Sequence, residues 1–278
     1  MSGKIQSRRV RFDGGGGYQL AGIVDAPNTV SDAVPAGSPN VPISGHLVLA
    51  HCFTCSKDLK AMVRLSRAIA TAGLTVLRFD MTGLGDSEGR FGDTTFDTNV
   101  ADLIAAGRWA AEQLGGPAVW MGHSLGGAAV LKVAGRGGAD PMPHAVVTLA
   151  APSDTRHLVA TLQRLNPELH HQRPADVVIG GRTFSITDAM LDALRDNSLP
   201  DAISNIRRPI LAFHSPDDRT VSIDHAIRIE TLQRNAGGNV SLITLDGADH
   251  LLTRQPRDID LVAEITVAFA RRWLSEIE

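Results

Sequence analysis

The sequence has few cysteines, little excess of charge and no long hydrophobic run, and each shortage excludes a class of protein. Its two cysteines, Cys52 and Cys55, stand in one short segment, which excludes a disulfide framework. A formal net charge of −3 gives nucleic acid and anionic membranes no strong electrostatic attraction to the chain. No apolar run approaches the roughly 18 residues of a membrane-spanning helix. We therefore expect no nucleic-acid or membrane partner.

The basic N-terminus, MSGKIQSRRV, is not followed by the apolar stretch of a secretory signal, so we expect a cytoplasmic protein. The remaining composition is that of an ordinary globular protein, with 43% hydrophobic and 21% charged residues. A chain of 278 residues buries about three quarters of its surface when it folds as one domain with a small insertion.

Strand-like and helix-like segments alternate along most of the chain. Apolar, strand-like runs occur at Leu47–Ala50, Leu74–Phe79, Ala118–Met121, Ala145–Leu149, Ile210–His214 and Val240–Leu245. Helix-like runs occur at Lys57–Ala72, Thr95–Leu114, Gly127–Gly135, Asp224–Asn235 and Asp258–Ile277. Repeated strand–helix units predict an α/β fold with a mostly parallel, doubly wound sheet. Before them, Arg9–Phe12 and Gln19–Val24 flank a glycine-rich turn and predict an N-terminal antiparallel hairpin.

One long segment interrupts the alternation. Residues 153–205 contain two helix-like pieces and a predicted hairpin that turns at two glycines. We interpret this segment as a small lid over the pocket, inserted into a core formed by residues 1–152 and 206–278. The alternative is a passive surface excursion.

The stretch Gly122-His123-Ser124-Leu125-Gly126 matches the Gly-x-Ser-x-Gly pattern of a nucleophile elbow. An apolar strand precedes it and a helix follows it. A serine on such a turn is lifted above the edge of the sheet, where the first N–H groups of the helix point at the group it attacks. We predict that Ser124 is a nucleophile. The alternative is a glycine-rich, phosphate-type turn with an incidental serine.

A serine hydroxyl needs a base to take its proton, and that base is expected to be a histidine oriented by a carboxylate. His250 follows the last predicted strand in a glycine-containing loop, so it can fold back over the sheet edge. Asp217 and Asp218 follow the preceding strand and compete for the role of the acid. Asp249 is a weaker candidate, because side chains adjacent in sequence point apart. His123, beside the nucleophile, is expected to point away, into or behind the sheet.

Several motifs together resemble one subgroup of the α/β-hydrolases. They are LAHCFTCSKD, LRFDMTGLGDSEG, FDTNVADL, MGHSLGGAAVL and IGGRTFSI. The subgroup is the hydrolase half of bacterial proteins in which a serine hydrolase is fused to an OsmC-type, peroxidase-like domain. The resemblance extends from about His46 to the C-terminus and implies the α/β-hydrolase fold with a triad of Ser124, Asp218 and His250. The spacing from His214 to Val221 resembles the hydrolase pattern His-Gly-x-x-Asp-x-x-Val, which favours Asp218 as the acid.

The resemblance also implies where the oxyanion of the reaction is held. One backbone N–H is expected from Leu125, which follows the nucleophile, and the other from Phe53 in the loop after the first parallel strand. Hydrolases often have His-Gly-x in this loop, so Cys52 replaces a glycine here. We further expect the substrate pocket to be lined by His51, Phe184 and Met190.

The implied activity is that of a serine hydrolase acting on a small or medium carboxylic ester through an acyl-enzyme. No metal and no organic cofactor is required, and an OsmC-type protein is the implied partner. Alternatives with the same triad are a thioesterase and a hydrolase of small peptides or amides. A non-enzymatic alternative is a silent redox or binding module that uses Cys52 and Cys55. The sequence does not determine the oligomeric state.

Two interpretations of the Cys-x-x-Cys pair stay open. In one, Cys52 and Cys55 are small buried thiols that pack under the loop. In the other, they form a redox-sensitive disulfide that constrains the backbone at Phe53. Two thiols are too few ligands for a metal site, since only His51 is adjacent.

Overall fold

The computed structural model describes residues 5–28, 43–138 and 140–274. Within these ranges the chain forms an eight-stranded sheet, a separate two-stranded sheet and eight α-helices. The last part of the predicted closing helix, residues 275–277, lies outside the described residues.

The strands form one large sheet and one small hairpin. They are β1 Ile5–Asp13, β2 Gln19–Pro27, β3 His46–Ala50, β4 Thr75–Phe79, β5 Ala118–His123, β6 Ala145–Leu149, β7 Ala175–Ile179, β8 Arg182–Ile186, β9 Ile210–His214 and β10 Val240–Thr244. The large sheet has the order β1-β2-β4-β3-β5-β6-β9-β10, and β7 pairs with β8. β1 is antiparallel to β2 and β2 to β4, whereas the remaining neighbours are parallel. The predicted mostly parallel sheet with an N-terminal antiparallel hairpin is confirmed.

The helices connect the parallel strands. They are α1 Lys60–Thr71, α2 Phe96–Leu114, α3 Leu125–Arg136, α4 Arg156–Leu165, α5 Asp188–Asp196, α6 Leu199–Asn205, α7 Asp224–Asn235 and α8 Pro256–Leu274. Local sequence sets the ends of α2. Thr95 and Thr98 form a reciprocal capping box at its start, and Gly115 ends it with φ of 67°.

Both faces of the sheet are buried, and alternate side chains pack on opposite faces. On β5, Trp120 packs with α2 and α3, whereas Val119 and Met121 pack with α1 and α8. Gly107 of α2 lies so close to the Trp120 indole that a Cβ there would collide with the ring. A strand covered on both faces is apolar at successive positions, which explains why β5 lacks polar alternation.

The insertion between β6 and β9 shares the core of the main body. α4, α5 and the β7–β8 hairpin pack on the α2 side of the sheet, in the same cluster of buried apolar residues as Phe96 and Trp120. α6 packs along α3, where a Cβ on Gly135 would collide with the backbone of Ala202. The insertion is therefore anchored to the body along its length, and α4 and the hairpin reach the carboxyl edge of the sheet.

Candidate active site

Ser124 lies on the sharp turn between β5 and α3. Its φ of 54° is a left-handed conformation that costs a non-glycine residue roughly 1–3 kcal/mol. The flanking glycines allow the turn to close, because a Cβ on Gly122 would collide with the backbone of Gly126, and one on Gly126 with the carbonyl oxygen of His51. The surrounding backbone thus holds a strained elbow in place.

The Ser124 side chain faces a cavity at the carboxyl edge of the sheet. Its backbone N–H donates to the carbonyl oxygen of Leu149 at 2.9 Å, which fixes the elbow against β6. The residue is 9% exposed. Its Oγ makes no hydrogen bond with any residue that the structure describes. The hydroxyl is therefore available to a ligand in the cavity.

His250 lies on the loop after β10 and lines the same cavity. Its Nδ1 is 2.7 Å from Asp218 Oδ2. Because a carboxylate accepts, Nδ1 carries the proton and Nε2 of the neutral ring keeps a free lone pair. Gly247, with φ of 80°, provides the bend that returns this loop to the sheet edge. Asp218 thus holds the ring at the edge of the cavity that Ser124 also lines.

The Asp218 carboxylate is buried, and hydrogen bonds hold both of its oxygens. Oδ1 accepts from the backbone N–H groups of Thr220 at 2.7 Å and Val221 at 3.0 Å, and Oδ2 accepts from His250. Burial by itself favours the neutral acid, but the hydrogen bonds from His250, Val221 and Thr220 outweigh it, and the pKa of Asp218 lies below its ordinary value. Asp218 is therefore an ionised partner for His250.

A buried histidine explains the spacing between His214 and Val221. His214 Nε2 donates to the carbonyl oxygen of Val221 at 2.8 Å, while the Val221 N–H donates to Asp218. The ring also lies 3.8 Å from Asp218 Oδ2. Burial lowers the pKa of His214, so its ring is neutral. The ring stabilises the loop that carries Asp218.

The two competing aspartates are engaged elsewhere. Asp217 is exposed and accepts a hydrogen bond from the Gly247 N–H at 2.8 Å. Asp249 accepts from Thr253 and from the Arg254 N–H. The structure therefore places the carboxylate of Asp218 at His250, rather than that of Asp217 or Asp249.

His123 has a positioning role that the sequence did not reveal. It lies behind the sheet edge, 1% exposed, and its Nε2 donates to the carbonyl oxygen of His250 at 2.7 Å. The centres of the two imidazole rings are 4.9 Å apart. Burial, reinforced by the nearby His250, lowers the pKa of His123 to about 3. A neutral His123 thus supports the backbone that carries His250.

Phe53 and Leu125 line the cavity together with Ser124. Leu125 begins α3, so its N–H has no acceptor in the preceding turn. Phe53 lies on the loop after β3. Neither N–H donates to another residue in the described part of the chain. Both are therefore available to a negatively charged oxygen near Ser124.

The Phe53 loop is held from below by buried polar side chains. His51 accepts the Met81 N–H at Nε2 and donates to the Cys52 carbonyl oxygen from Nδ1, at 3.1 and 2.8 Å. Further along, Asp80 Oδ1 accepts the Lys57 N–H at 2.6 Å. Burial disfavours the Lys57 charge, but ion pairs with three aspartates outweigh it and raise its pKa. This network fixes both ends of the loop.

Cys52 and Cys55 form a disulfide that brackets Phe53 and Thr54. Both cysteines line the cavity. The interpretation of two free packing thiols is therefore wrong for this structure. Thr54 has φ of 60°, a left-handed conformation inside the ring that the disulfide closes. The bond adds a covalent constraint to the loop that presents the Phe53 N–H.

The cavity has a volume of about 620 Å³, and we call it the main cavity. Much of its lining is apolar: Phe53, Leu59, Leu125, Leu158, Leu162, Leu165, Ile179 and Leu251. Charged residues also line it: Asp58, Arg182, Asp217, Arg219, Asp249 and Arg254. The insertion contributes residues of α4 and of the hairpin turn to this lining. The main cavity suits an apolar group with a polar group at Ser124.

Three residues expected to line the pocket lie elsewhere. Phe184 and Met190, 6% and 2% exposed, pack into the core under the lid, because the apolar face of α5 and the inward face of β8 turn toward α2 rather than toward the cavity. Phe184 contacts the ring of Phe91, with centroids 5.0 Å apart. His51 is buried, and both of its ring nitrogens are used by the loop. None of the three belongs to the lining of the main cavity.

We expect Phe184→Ala to lower the free energy of unfolding by about 3–5 kcal/mol, because it removes a buried aromatic ring. Leu158→Ala in the main-cavity wall is the matched comparison, since Leu158 is only partly buried. Urea unfolding measures the change in stability, and relative rates on esters of different acyl length measure the change in acyl preference. Leu158→Ala should change the acyl preference and Phe184→Ala should not. A changed acyl preference in Phe184→Ala without loss of stability would contradict this assignment.

The geometry of the site and the fold can be compared with known proteins. The family model described as the alpha/beta hydrolase family matches residues 47–260. The chain belongs to the alpha/beta hydrolase family. The predicted α/β-hydrolase fold is thereby confirmed, and the protein is a hydrolase of this fold. Among curated proteins, none matches this chain.

Several solved structures are similar to this hydrolase. The esterase domain of a Rhodothermus marinus protein is 38% identical over 97% of this chain and 99% of that one, with a TM-score of 0.69. Est1E from Butyrivibrio proteoclasticus, with ferulic acid bound, is 20% identical over 96% of this chain and 100% of its own, with a TM-score of 0.76. A Pyrococcus furiosus esterase is 16% identical over 97% of this chain and 92% of its own, with a TM-score of 0.70. The last two likenesses concern the fold alone.

No group of three or more His, Cys, Asp or Glu side chains in the described part of the hydrolase is arranged to hold a metal ion. No helix within it is both long and apolar enough to cross a membrane.

Proposed function

We propose that the protein is a serine hydrolase that cleaves a small or medium carboxylic ester through an acyl-enzyme, with Ser124, His250 and Asp218 as its triad. The observation that carries the proposal is the 2.7 Å contact between His250 Nδ1 and the buried Asp218, on a ring that shares a cavity with Ser124 on its elbow. The order Ser…Asp…His along the chain is that of α/β-hydrolases.

Acylation begins when Ser124 Oγ attacks the ester carbonyl carbon. His250 Nε2 takes the serine proton as the Oγ–C bond forms, and Asp218 stabilises the resulting imidazolium. The ester C–O bond then breaks, and His250 gives the proton to the departing alkoxide, which leaves as the alcohol. The acyl group stays on Ser124.

The negative charge that develops on the carbonyl oxygen needs donors that are already in place. The N–H groups of Phe53 and Leu125 are the proposed pair, because both residues line the main cavity with Ser124 and neither N–H has another acceptor among the described residues. Removing one such donor in serine hydrolases typically costs about 10²–10³ in kcat. The disulfide and the His51 and Lys57 contacts favour a rigid position for Phe53.

Deacylation uses the same groups in reverse. Water takes the place of the alcohol, His250 removes its proton, and the oxygen attacks the acyl carbon. The bond to Ser124 Oγ breaks, and His250 returns the proton to the serine. No step requires a metal or an organic cofactor.

The main cavity supports an ester substrate of modest size. Its volume of about 620 Å³ and its apolar wall suit a small or medium acyl group rather than a polymer. The similar Rhodothermus marinus structure is described as an esterase domain, which also favours an ester. The cytoplasmic location and an OsmC-type partner, which rest on the sequence, stay predictions.

A fluorophosphonate probe and a series of p-nitrophenyl esters test this function. The probe should label the protein at Ser124, because it reacts only with an activated serine, and peptide mass spectrometry should locate the adduct. Rates should be highest for short and medium acyl chains. Absence of labelling, together with no hydrolysis of any ester in the series, would contradict the proposal. If the protein cleaved a thioester or a peptide faster than any ester, the proposed substrate class would be wrong and the proposed triad would stand.

A further inference from the structure

A second cavity lies next to the main cavity, and we call it the side cavity. Its volume is about 550 Å³. Residues of the lid helix α4 and of the loop that carries Asp218 line it. The two cavities share four lining residues: His157, Thr161, Arg219 and Thr220. They therefore meet along one wall, beside the acid of the proposed triad.

The two cavities differ in chemistry. Most of the surface of the main cavity is apolar, and leucines, Phe53 and Ile179 contribute to it beside several charged residues. The side cavity is lined by polar residues with the exception of Ala160, among them Gln163, Arg164, His170, Ser222 and His225, and polar and apolar atoms share its surface about equally. An ester whose acyl half is apolar and whose alcohol half is polar matches this division.

His157 presents a hydrogen-bond acceptor at the boundary. Its Nδ1 lies 3.0 Å from the Asp154 carbonyl oxygen, which can only accept, so Nδ1 carries the proton. Nε2 then has a lone pair and no partner among the residues that the structure describes. Burial lowers the pKa of His157, which keeps the ring neutral and the lone pair available. Such an atom accepts a hydrogen bond from a donor group of a ligand, and a hydroxyl is one such donor.

His225 adds a donor on the far side of the same wall. Its Nδ1 accepts the Ser153 N–H at 3.2 Å, so the proton of the neutral ring is on Nε2. Its ring packs against His157 with centroids 4.9 Å apart. Arg219 is exposed and has no ion-pair partner in the described part of the chain. The side cavity thus offers both an acceptor and donors, which are the groups that a polyhydroxylated ligand binds.

The chemistry of the proposed reaction decides which half of the ester faces this side. His250 must protonate the oxygen of the leaving alcohol, so the alcohol leaves on the side of His250 and Asp218. Asp218 and Thr220 form part of the side-cavity wall. The leaving alcohol, rather than the acyl group, is therefore the half that lies nearest the side cavity.

We propose that the side cavity binds the alcohol half of the substrate, that this alcohol carries free hydroxyl groups, as glycerol or a sugar does, and that His157 Nε2 accepts a hydrogen bond from one of them. This inference rests on the proposed function, since it assigns a substrate class to that site. His157 is then a specificity-determining residue outside the triad.

The test compares methyl butyrate with glycerol monobutyrate, two esters that share an acyl group. The wild-type protein should favour the glycerol ester in kcat/KM. His157→Leu should lower that preference about 3- to 10-fold, the worth of one hydrogen bond to a neutral group. His157→Gln, which keeps an acceptor near the Nε2 position, should retain most of the preference. The effect should lie in KM more than in kcat.

His171→Leu is the matched control, because it makes the same change at an exposed lid histidine outside both cavities. It should keep the wild-type ratio, and melting temperatures check that all variants fold. If the wild-type protein showed no preference for the glycerol ester, that result alone would overturn the inference. A ratio equal in wild type and His157→Leu would also overturn it. If hydrolysis still depended on Ser124, either result would leave the proposed function intact. If neither ester were hydrolysed in a way that depends on Ser124, the proposed function itself would be refuted.

Discussion

Ser124→Ala is expected to lower kcat for ester hydrolysis by a factor on the order of 10⁴ or more, because the members of a triad act as a unit and the remaining groups have no nucleophile to activate. The fold should survive. Alanine has the same backbone restrictions as serine at φ of 54°, and the Ser124 N–H bond to Leu149 does not involve the side chain.

Steady-state kinetics on a p-nitrophenyl ester measure this effect, with circular dichroism melting as the check on the fold. Ser204→Ala is the matched control, since its hydroxyl bonds to Pro200 within α6 and lies outside the main cavity. The control should hydrolyse the ester at close to the wild-type rate. Ser124→Ala protein that keeps more than a few per cent of wild-type kcat, after a contaminating esterase is excluded, would remove Ser124 from the mechanism.

Asp218→Asn is expected to lower kcat by a factor on the order of 10⁴, with little change in KM. The carboxylate accepts the Nδ1 proton of His250 at 2.7 Å, whereas an amide that donates there favours the tautomer with the proton on Nε2. Nε2 of His250 would then already carry a proton and could not accept the one from Ser124. The backbone N–H groups of Thr220 and Val221 still have an acceptor in the asparagine, so the loop should keep its shape.

Asp217→Asn provides the control, because the same chemical change is made one residue away. Among the residues that the structure describes, the Asp217 side chain accepts a hydrogen bond from the Gly247 N–H alone, and the amide oxygen of asparagine accepts equally well. Its kcat should stay within a few-fold of the wild-type value. If Asp217→Asn were severe and Asp218→Asn mild, the roles of the two aspartates would be exchanged. Similar losses in both variants would point to general damage of the loop.

The candidate site was visible in the sequence because its groups follow strand ends. Ser124, Asp218 and His250 each come directly after a predicted parallel strand, and the carboxyl ends of such strands meet at one edge of the sheet. The choice between Asp217 and Asp218 rested on a spacing. The structure supplies its cause, since His214 and Asp218 bind opposite sides of the same residue, Val221.

The insertion between β6 and β9 shows what a sequence pattern alone does not determine. The amphipathic sequence of α5 and the apolar residues of β8 indicated one buried face, and that face exists. Periodicity specifies that a face is buried but not which neighbour covers it. The neighbour is the α2 side of the core, so Phe184 and Met190 stabilise the fold, and α4 lines the main cavity instead.

By itself the sequence determined the order of strands and helices outside the insertion, the elbow and the candidate triad, because these follow from local periodicity, glycine placement and chain order. Only the tertiary structure decided the contacts of His123 and His157 and the pairing of the two cysteines. His123 binds a carbonyl 127 residues away. His157 packs on a histidine from another helix, at the meeting of two cavities. Such contacts depend on the relative placement of distant elements, which the packing of side chains in three dimensions fixes and which leaves no periodic pattern in the chain.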